Sequence, residues 1–463
     1  MNATAPPRAR RRLIPSLLIA TATLSLLLLV PRPVRADTGH ERHALPWLPD
    51  ASGQLAPPPT WQLVPRGYAE MTFAWHDYDL DQTREGGARS DSRLVFDTAR
   101  FTFELEGFLP LGLQFEVEAE FEHRGAGAAM ELDYEEFGEY EQEVEAGGEV
   151  VLEELYLAKT FGPVRLRVGR FYLAVGLLSE LFRPTEYLAS TRPESETLLL
   201  PGVWDEMGFD ATLTLPSARF TLQLVNGLDS TGFNSKSWIA GGHQRRFELV
   251  RASDLALVAR ADWLPTPRAT LGVSAYYGAT SRNRPKADLV PDCPGADPGA
   301  VASCGYVSAN VLLLDAHFIL DLDPFVARGT VLWGRLDNAE AVSERNARLS
   351  NNLNVARTPV ADEAFFAWLE LGWDLSEPLG LPKGHHLEPY LRYEYLDTMF
   401  ATSGDTFDNP RFARAITTVG LGYSYGDLMF AKLDFSRRDV GAYDADADFA
   451  AEHSLTLATG FTY

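Results

Sequence analysis

Apolar and charged residues alternate strictly in residues 111–123, LGLQFEVEAEFEH. An alternation with a period of two predicts a β-strand, because successive side chains leave a strand on opposite faces. Glu116, Glu118, Glu120 and Glu122 then share one face, and four carboxylates in a dry core would each need a partner. The pattern predicts a strand that separates an apolar environment from water.

The same alternation occurs in sixteen segments along the chain, this one included. They are 66–78, 94–108, 112–123, 149–161, 163–171, 204–215, 218–226, 254–264, 268–280, 309–320, 325–336, 363–376, 386–397, 414–425, 427–438 and 452–463. Short connections alternate with long ones between them. This sorting of loops by length is typical of a transmembrane barrel of the outer-membrane type, whereas a soluble β-sandwich has no reason for it.

Each predicted strand carries one apolar face that suits lipid. Aromatic residues near strand ends are expected in interfacial girdles: Trp75, Trp204, Trp263, Trp333, Trp373 and Tyr463. In lipid the hydrogen bonds of the backbone are complete only if the first and last strands pair. A barrel of about sixteen strands is wide enough to leave an aqueous channel. We therefore expect an all-β, antiparallel transmembrane barrel with short periplasmic turns and long extracellular loops, whose polar lumen passes small hydrophilic solutes or ions.

The N-terminus predicts export. A basic segment at residues 8–12 precedes an apolar run, Leu13–Val30, and a small-x-small site ends at Ala36. We expect a signal peptide over 1–36, cleaved in the mature protein, with an uncleaved anchor helix as the alternative. A Pro-rich periplasmic extension over 37–65 would then precede a barrel over 66–463.

The net charge and the two cysteines limit the classes of partner and of compartment. The formal charge is −23 and the pI about 4.8, which argues against nucleic acid. Cys293 and Cys304 lie in a Pro/Gly-rich stretch, and an oxidising compartment favours a disulfide between them. The acidic loop 124–148 is typical of a solvated loop, with the binding of divalent cations or of lipopolysaccharide through them as the alternative. It lacks the spacing of a calcium-binding loop, and we expect neither a metal nor a cofactor.

Several segments together resemble one family. They are 164–184 (VRLRVGRFYLAVGLLSELFRP), 198–215, 222–229, 388–398, 419–437 and the C-terminal LATGFTY. They resemble the phosphate-selective porins of Gram-negative outer membranes. The resemblance implies a sixteen-stranded barrel among lipid and lipopolysaccharide, a third external loop folded into the lumen, and a homotrimer. It also implies that Phe461 and Tyr463 form the terminal aromatic signal for the barrel-assembly machinery.

The predicted third loop, 172–203, mixes apolar and charged residues. Leu177, Leu178, Leu181 and Phe182 are unusual for a wholly solvated loop. The loop could pack against the barrel wall and narrow the pore, or face outward and make trimer contacts.

The candidate pore-lining and constriction residues carry both signs of charge. They are Glu104, Glu106, Glu116, Glu118, Glu120, Glu122, Arg165, Arg167, Arg170, Glu180, Arg183, Glu186 and Arg192. The family that the chain resembles carries arginine and lysine in its pore, whereas lysine is scarce here. The acids predict a slight preference for cations. Arg165, Arg167, Arg170 and Arg183 support the alternative of an anion- or phosphate-selective channel, or they serve only to neutralise the glutamates.

Other classes of function find less support. The histidines are scattered apart from His385–His386, and no Gly-x-Ser-x-Gly lies near any of them, so we expect no enzyme. A structural or adhesive surface protein would have longer, repetitive loops. A plugged transporter would need a larger N-terminal domain than 37–65.

Overall fold

Sixteen antiparallel strands form a single closed sheet in the computed structural model, which describes residues 62–78, 91–123, 149–181, 183–244, 250–283, 308–348, 358–441 and 451–463. The strands are β1 (Gln62–Tyr78), β2 (Asp91–Leu109), β3 (Leu113–Glu122), β4 (Glu149–Phe161), β5 (Val164–Tyr172), β6 (Asp205–Leu215), β7 (Ala218–Asn226), β8 (Leu255–Thr266), β9 (Ala269–Ala279), β10 (Asn310–Asp321), β11 (Phe325–Leu336), β12 (Glu363–Trp373), β13 (His385–Ala401), β14 (Ala413–Tyr425), β15 (Met429–Val440) and β16 (Glu452–Thr462).

Every strand pairs with its neighbours in the chain, and the first strand pairs with the last. The β1–β16 register runs from Tyr68 opposite Thr462 to Asp77 opposite His453. The described sheet therefore has no free edge, which is the condition for a strand structure in lipid. This confirms the predicted sixteen-stranded barrel.

The observed strands follow the predicted segments closely. β4, β7 and β11 have the predicted bounds, whereas β1 begins at Gln62, inside the segment predicted as the extension 37–65. Within the described residues, three short α-helices lie between strands: α1 (Glu194–Leu199), α2 (Ala339–Arg348) and α3 (Ser376–Leu379). None of the helices in the described ranges is long and apolar enough to cross a membrane.

The two faces of the sheet differ as the alternation predicts. Phe73 and Leu257 are 40% and 47% exposed on the outer face, whereas Glu104 and Glu118 on the inner face are 3% and 1% exposed. A large continuous apolar surface around the outside of a closed sheet suits a non-aqueous phase. The glutamates of β2 and β3 therefore line the interior, and the outer face suits hydrocarbon.

Aromatic residues collect at the short-turn end of the barrel. Trp263 is exposed there, and the exposed Trp373 stacks on Phe325 with ring centroids 5.8 Å apart. Trp204 corrects the prediction of a girdle position, because it is buried inside the barrel and packs on Tyr276 at 4.9 Å.

The barrel seam is held by the C-terminal tyrosine. The ring of Tyr463 stacks on Phe101, with centroids 6.1 Å apart, and its hydroxyl donates to the Thr102 carbonyl at 3.1 Å. The ring thus passes over β1 at Gly67, where a Cβ would lie 2.6 Å from the tyrosine oxygen and 2.2 Å from the Thr102 oxygen. Only glycine leaves room for this crossing.

Substitution of Gly67 by valine is expected to weaken the seam. The added atoms would push Tyr463 and β2 apart, at a cost of about 1–3 kcal/mol. The measurement is the fraction of folded barrel on an unboiled gel, together with the urea midpoint in lipid vesicles. Gly202→Val is the control, since nothing lies within 4 Å of a Cβ there. Equal losses in both variants would contradict this role of Gly67.

Candidate channel and constriction

After β5 the chain turns into the barrel. The β5–β6 loop, residues 173–204, buries Leu173, Leu177, Leu199 and Leu200 in an apolar cluster that includes inward-facing wall residues. These leucines explain why the segment is too apolar for a solvated loop. The structure places the loop inside the barrel, as one of the two alternatives from the sequence requires.

Carboxylates of the barrel wall accept hydrogen bonds from the backbone of this loop. Glu370 accepts the amides of Leu188 and Ala189 at 3.0 and 3.1 Å. Asp434 accepts the amide and hydroxyl of Ser190, both at 2.7 Å. Glu394 on β13 and Asp315 on β10 accept further loop amides, at 2.8 and 3.2 Å. Because buried amides require acceptors, these wall acids fix the path of the loop.

Cations of the wall bind the loop carbonyls in the same way. The ammonium of Lys432 donates to Tyr187 and Ala189, at 2.5 and 3.1 Å, and also to Pro184. Arg392 donates to the Thr191 carbonyl at 2.6 Å. With acids and bases on several strands bonded to it, the loop is attached across the barrel interior.

Glu196 joins two parts of the β5–β6 loop to each other and to the barrel wall. One carboxylate oxygen accepts the amides of Leu177 and Leu178 at 2.8 and 2.9 Å. The other accepts the indole N–H of Trp368 on β12 at 2.7 Å. Burial raises the pKa of Glu196 to about 7, against the effect of these donors.

The six predicted glutamates of β2 and β3 all lie on the inner face. Glu104 faces Glu118 in register, and Glu106 faces Glu116. Like charges directly opposite each other are unfavourable unless they are compensated. The compensating contacts include Arg183 to Glu104 at 2.6 Å, Arg66 to Glu106 at 3.5 Å, Tyr156 to Glu116, Tyr172 to Glu118 at 2.9 Å, Tyr68 to Glu120 at 3.3 Å and Arg100 to Glu122 at 3.5 Å.

The three predicted arginines of β5 do not act as one group. Arg165 donates to the hydroxyl of Tyr156 at 3.2 Å, and Arg167 forms a bidentate pair with Asp210 at 3.1 Å. Arg170 pairs in register with Leu155 and Met207, whose side chains are exposed on the outer face. The structure therefore places Arg170 on the outer side of the sheet, next to Asp205, apart from the pore-lining set in which the sequence placed it.

The predicted loop acids Glu180 and Glu186 both have partners inside the barrel. Glu180 pairs with Arg219 and with Arg260 at 3.2 Å. Burial alone would raise the pKa of Glu180. These two arginines outweigh burial and hold that pKa below its ordinary value. Burial raises the pKa of Glu186, which accepts the Arg183 amide at 3.0 Å.

A second inward loop fills one side of the barrel at the end that carries the long connections. Residues 227–244, between β7 and β8, bury Phe233, Trp238 and Ile239, and the Trp238 indole donates to the Ala361 carbonyl at 3.0 Å. Sequence reasoning missed this packing, because the segment has no regular period. Its tryptophan among apolar residues was the available signal.

A cavity lies on the other side, against β1–β4 and β13–β16. It has a volume of about 460 Å³ and lies between this wall and the distal part of the β5–β6 loop, which contributes Arg192. Its lining carboxylates are Glu120, Glu122, Glu153, Glu194, Glu394, Asp434 and Glu452. Its lining guanidinium groups are those of Arg100, Arg192, Arg392 and Arg438. With seven acids and four bases, the lining carries a formal excess of three negative charges.

A solved structure supports the fold. The OmpF structure from Salmonella typhi, in complex with daunomycin, matches with a TM-score of 0.50 and 10% identity, over 87% of this chain and 97% of that one. The fold is a porin-like barrel. DcaP of Acinetobacter baumannii (TM-score 0.49, 11% identity, 87% and 98% covered) and OprB of Pseudomonas putida (0.48, 11%, 87% and 94%) are also similar.

The sequence comparisons add little to this porin-like barrel. No family model matches the chain. An uncharacterized protein of Aquifex aeolicus (strain VF5) is 28% identical over 135 residues, which are 28% of this chain and 31% of that protein. The matched region thus spans about a third of that relative's length.

Some predicted features lie outside the described residues. These are the signal peptide 1–36, the acidic loop 124–148, Phe182, and the cysteines Cys293 and Cys304. Phe461 and Tyr463 are described, and their role as an assembly signal stays a prediction beside the seam contact of Tyr463.

Proposed function

We propose that this chain is a porin of the outer membrane, which passes small hydrophilic solutes and ions by passive diffusion. The observation that carries the proposal is the charged cavity inside a closed barrel whose outer face is apolar. The β5–β6 loop bounds this cavity, so we assign it the role of the constriction. Passage through such an opening needs no catalytic group and no cofactor.

We further propose a modest preference for cations. Rings of acidic side chains favour cations in a pore, and the cavity lining carries three more carboxylates than guanidinium groups. The pore-lining role of the predicted glutamates and of Arg165, Arg167, Arg183 and Arg192 belongs to this proposal.

An anion- or phosphate-selective channel is the alternative that the family resemblance suggests. Its support would come from Arg165, Arg167, Arg170 and Arg183. Arg167 and Arg183 are paired with Asp210 and Glu104, and Arg170 lies on the outer face, so their fields in the lumen are weakened. The geometry favours the cation preference.

Export and assembly belong to the same proposal, on the basis of the sequence. We propose removal of residues 1–36, recognition of Phe461 and Tyr463 by the barrel-assembly machinery, and a homotrimer embedded in lipid and lipopolysaccharide. Cross-linking in native membranes would report the trimer, and mass spectrometry of the mature chain would report the cleavage.

The decisive experiment is electrical. The purified protein, reconstituted in a planar bilayer, is expected to give discrete conductance steps. In a KCl gradient the reversal potential should carry the sign of K⁺ permeation. Chloride selectivity would replace the cation preference by the anion alternative. A folded barrel, identified by its altered gel mobility before boiling, that gave no conductance would remove the porin assignment.

A further inference from the structure

Guanidinium groups at the cavity are already bonded to carboxylates and carbonyls of the protein. Arg438 pairs with Glu452 at 2.8 Å and with Glu194. Arg392 pairs with Glu394 at 2.9 Å and donates to a loop carbonyl. These guanidinium donors are therefore poorly available to a solute, and an anion entering the cavity would compete with bound carboxylates.

Acceptors, in contrast, remain available on two sides of the cavity. Glu122 on β3 keeps a side chain that is 29% exposed, and its ion pair with Arg100 is long, at 3.5 Å. On the opposite wall, Thr418, Ser436 and Ser454 stand side by side in register on β14, β15 and β16. The Thr418 and Ser436 hydroxyls are 2.8 Å apart, so this row presents neutral oxygen atoms to the cavity.

Two further carboxylates lie buried at the cavity wall. Glu120 on β3 and Glu153 on β4, which are 3% and 2% exposed, both belong to the cavity lining. They come together because β4 bulges opposite Glu118 and Ala119, which turns Glu153 and Glu154 inward. Two neighbouring carboxylates repel each other unless a donor or a cation lies between them, and an ammonium group can take that place.

We propose that this cavity binds organic cations that carry primary ammonium groups, and that these are preferred solutes of the channel. The inference rests on the proposed porin function and extends it from ionic preference to a class of solute. An ammonium group offers three N–H donors and a positive charge. The cavity offers an excess of carboxylates together with a row of hydroxyl acceptors. At about 460 Å³ it has room for a small aliphatic amine.

The test compares two cations that differ in their donors. Putrescine has an ammonium group at each end, whereas tetramethylammonium has the charge without any N–H. In the bilayer, putrescine is expected to reduce the K⁺ current at concentrations at least about tenfold lower than tetramethylammonium, since charge-assisted hydrogen bonds separate the two. Equal effects of the two cations would overturn the proposal, because they would indicate charge screening alone.

Variants locate the site. Glu122→Gln with Glu153→Gln is expected to raise the half-blocking concentration of putrescine about tenfold. The matched control, Glu377→Gln with Asp427→Asn, removes two charges that are exposed in short connections and should change nothing. An unchanged block in E122Q/E153Q, with folding verified by gel mobility, would overturn the site.

Calorimetry separates this inference from the porin assignment. Putrescine is titrated into the folded barrel in detergent, where no current is needed. Binding that is lost in E122Q/E153Q supports the site even if the protein fails to conduct, in which case only the porin function falls. Conduction without binding overturns the site and leaves the porin.

Discussion

Lysine at three positions of the cavity should turn the channel from cation preference to anion preference. Glu122→Lys, Thr197→Lys and Ser454→Lys change the formal charge of the lining from an excess of three negative charges to an excess of one positive charge. The positions lie on β3, on α1 and on β16, so no element receives two new charges. In a KCl gradient the reversal potential is expected to change sign, with a several-fold change in the permeability ratio.

The control carries the same change of net charge outside the cavity. Glu377→Lys with Asp427→Lys adds four charge units at exposed short connections. Its field at the cavity is screened over roughly 8 Å at physiological ionic strength, so the wild-type selectivity should persist. If both variants inverted the selectivity, the cavity would not be the selective element.

Loss of the Glu196 carboxylate should be the most damaging single change in the β5–β6 loop. Glu196→Leu leaves the amides of Leu177 and Leu178 and the Trp368 indole without their acceptor. Each buried donor without an acceptor costs about 1–3 kcal/mol, so three of them predict that the free energy of unfolding falls by about 3 kcal/mol or more. The urea midpoint of the barrel in vesicles measures it, and the isosteric Glu196→Gln, which keeps one acceptor oxygen, should lose much less.

The same residue predicts a dependence on pH. Because burial raises the pKa of Glu196 to about 7, the folded state holds a proton that the unfolded chain releases from about pH 4.5 upward. The stability from this proton is complete below that range and is lost as the pH rises through 7. From pH 5 to 8, the urea stability of Glu196→Gln should therefore gain up to about 3 kcal/mol relative to wild type. A difference independent of pH would show that Glu196 is ionised throughout.

The strands could be predicted because lipid and water impose a period of two on every one of them. β11 was predicted to the residue, since its apolar alternation ends at turn residues on both sides. Arg170 and Trp204 were assigned against this period. Alternation places Arg170 on the face opposite to Arg165 and Arg167, and Trp204 on the face opposite to Met207 and Phe209, which is where the structure has them.

The contacts inside the barrel were harder to predict from the sequence. The inward turn of the β5–β6 loop followed from its leucines, whereas the carboxylates that bind its backbone, such as Glu370 and Asp434, could not be distinguished from other lumen acids. Glu153 was missed because strict alternation allows only one of two adjacent glutamates to face inward, and the bulge in β4 permits both. Bulges and loop contacts depend on distant residues, which no local pattern contains.

The attachment of the β5–β6 loop has a mechanical consequence. A hollow cylinder of sixteen strands can flatten into an ellipse under lateral membrane tension, since its hydrogen bonds resist stretching far better than bending. The β5–β6 loop resists such flattening in several directions. It is bonded to the wall at Glu104, at Asp315 and at Asp434, which lie on different sides of the barrel. The opening should therefore keep a constant cross-section during osmotic shock.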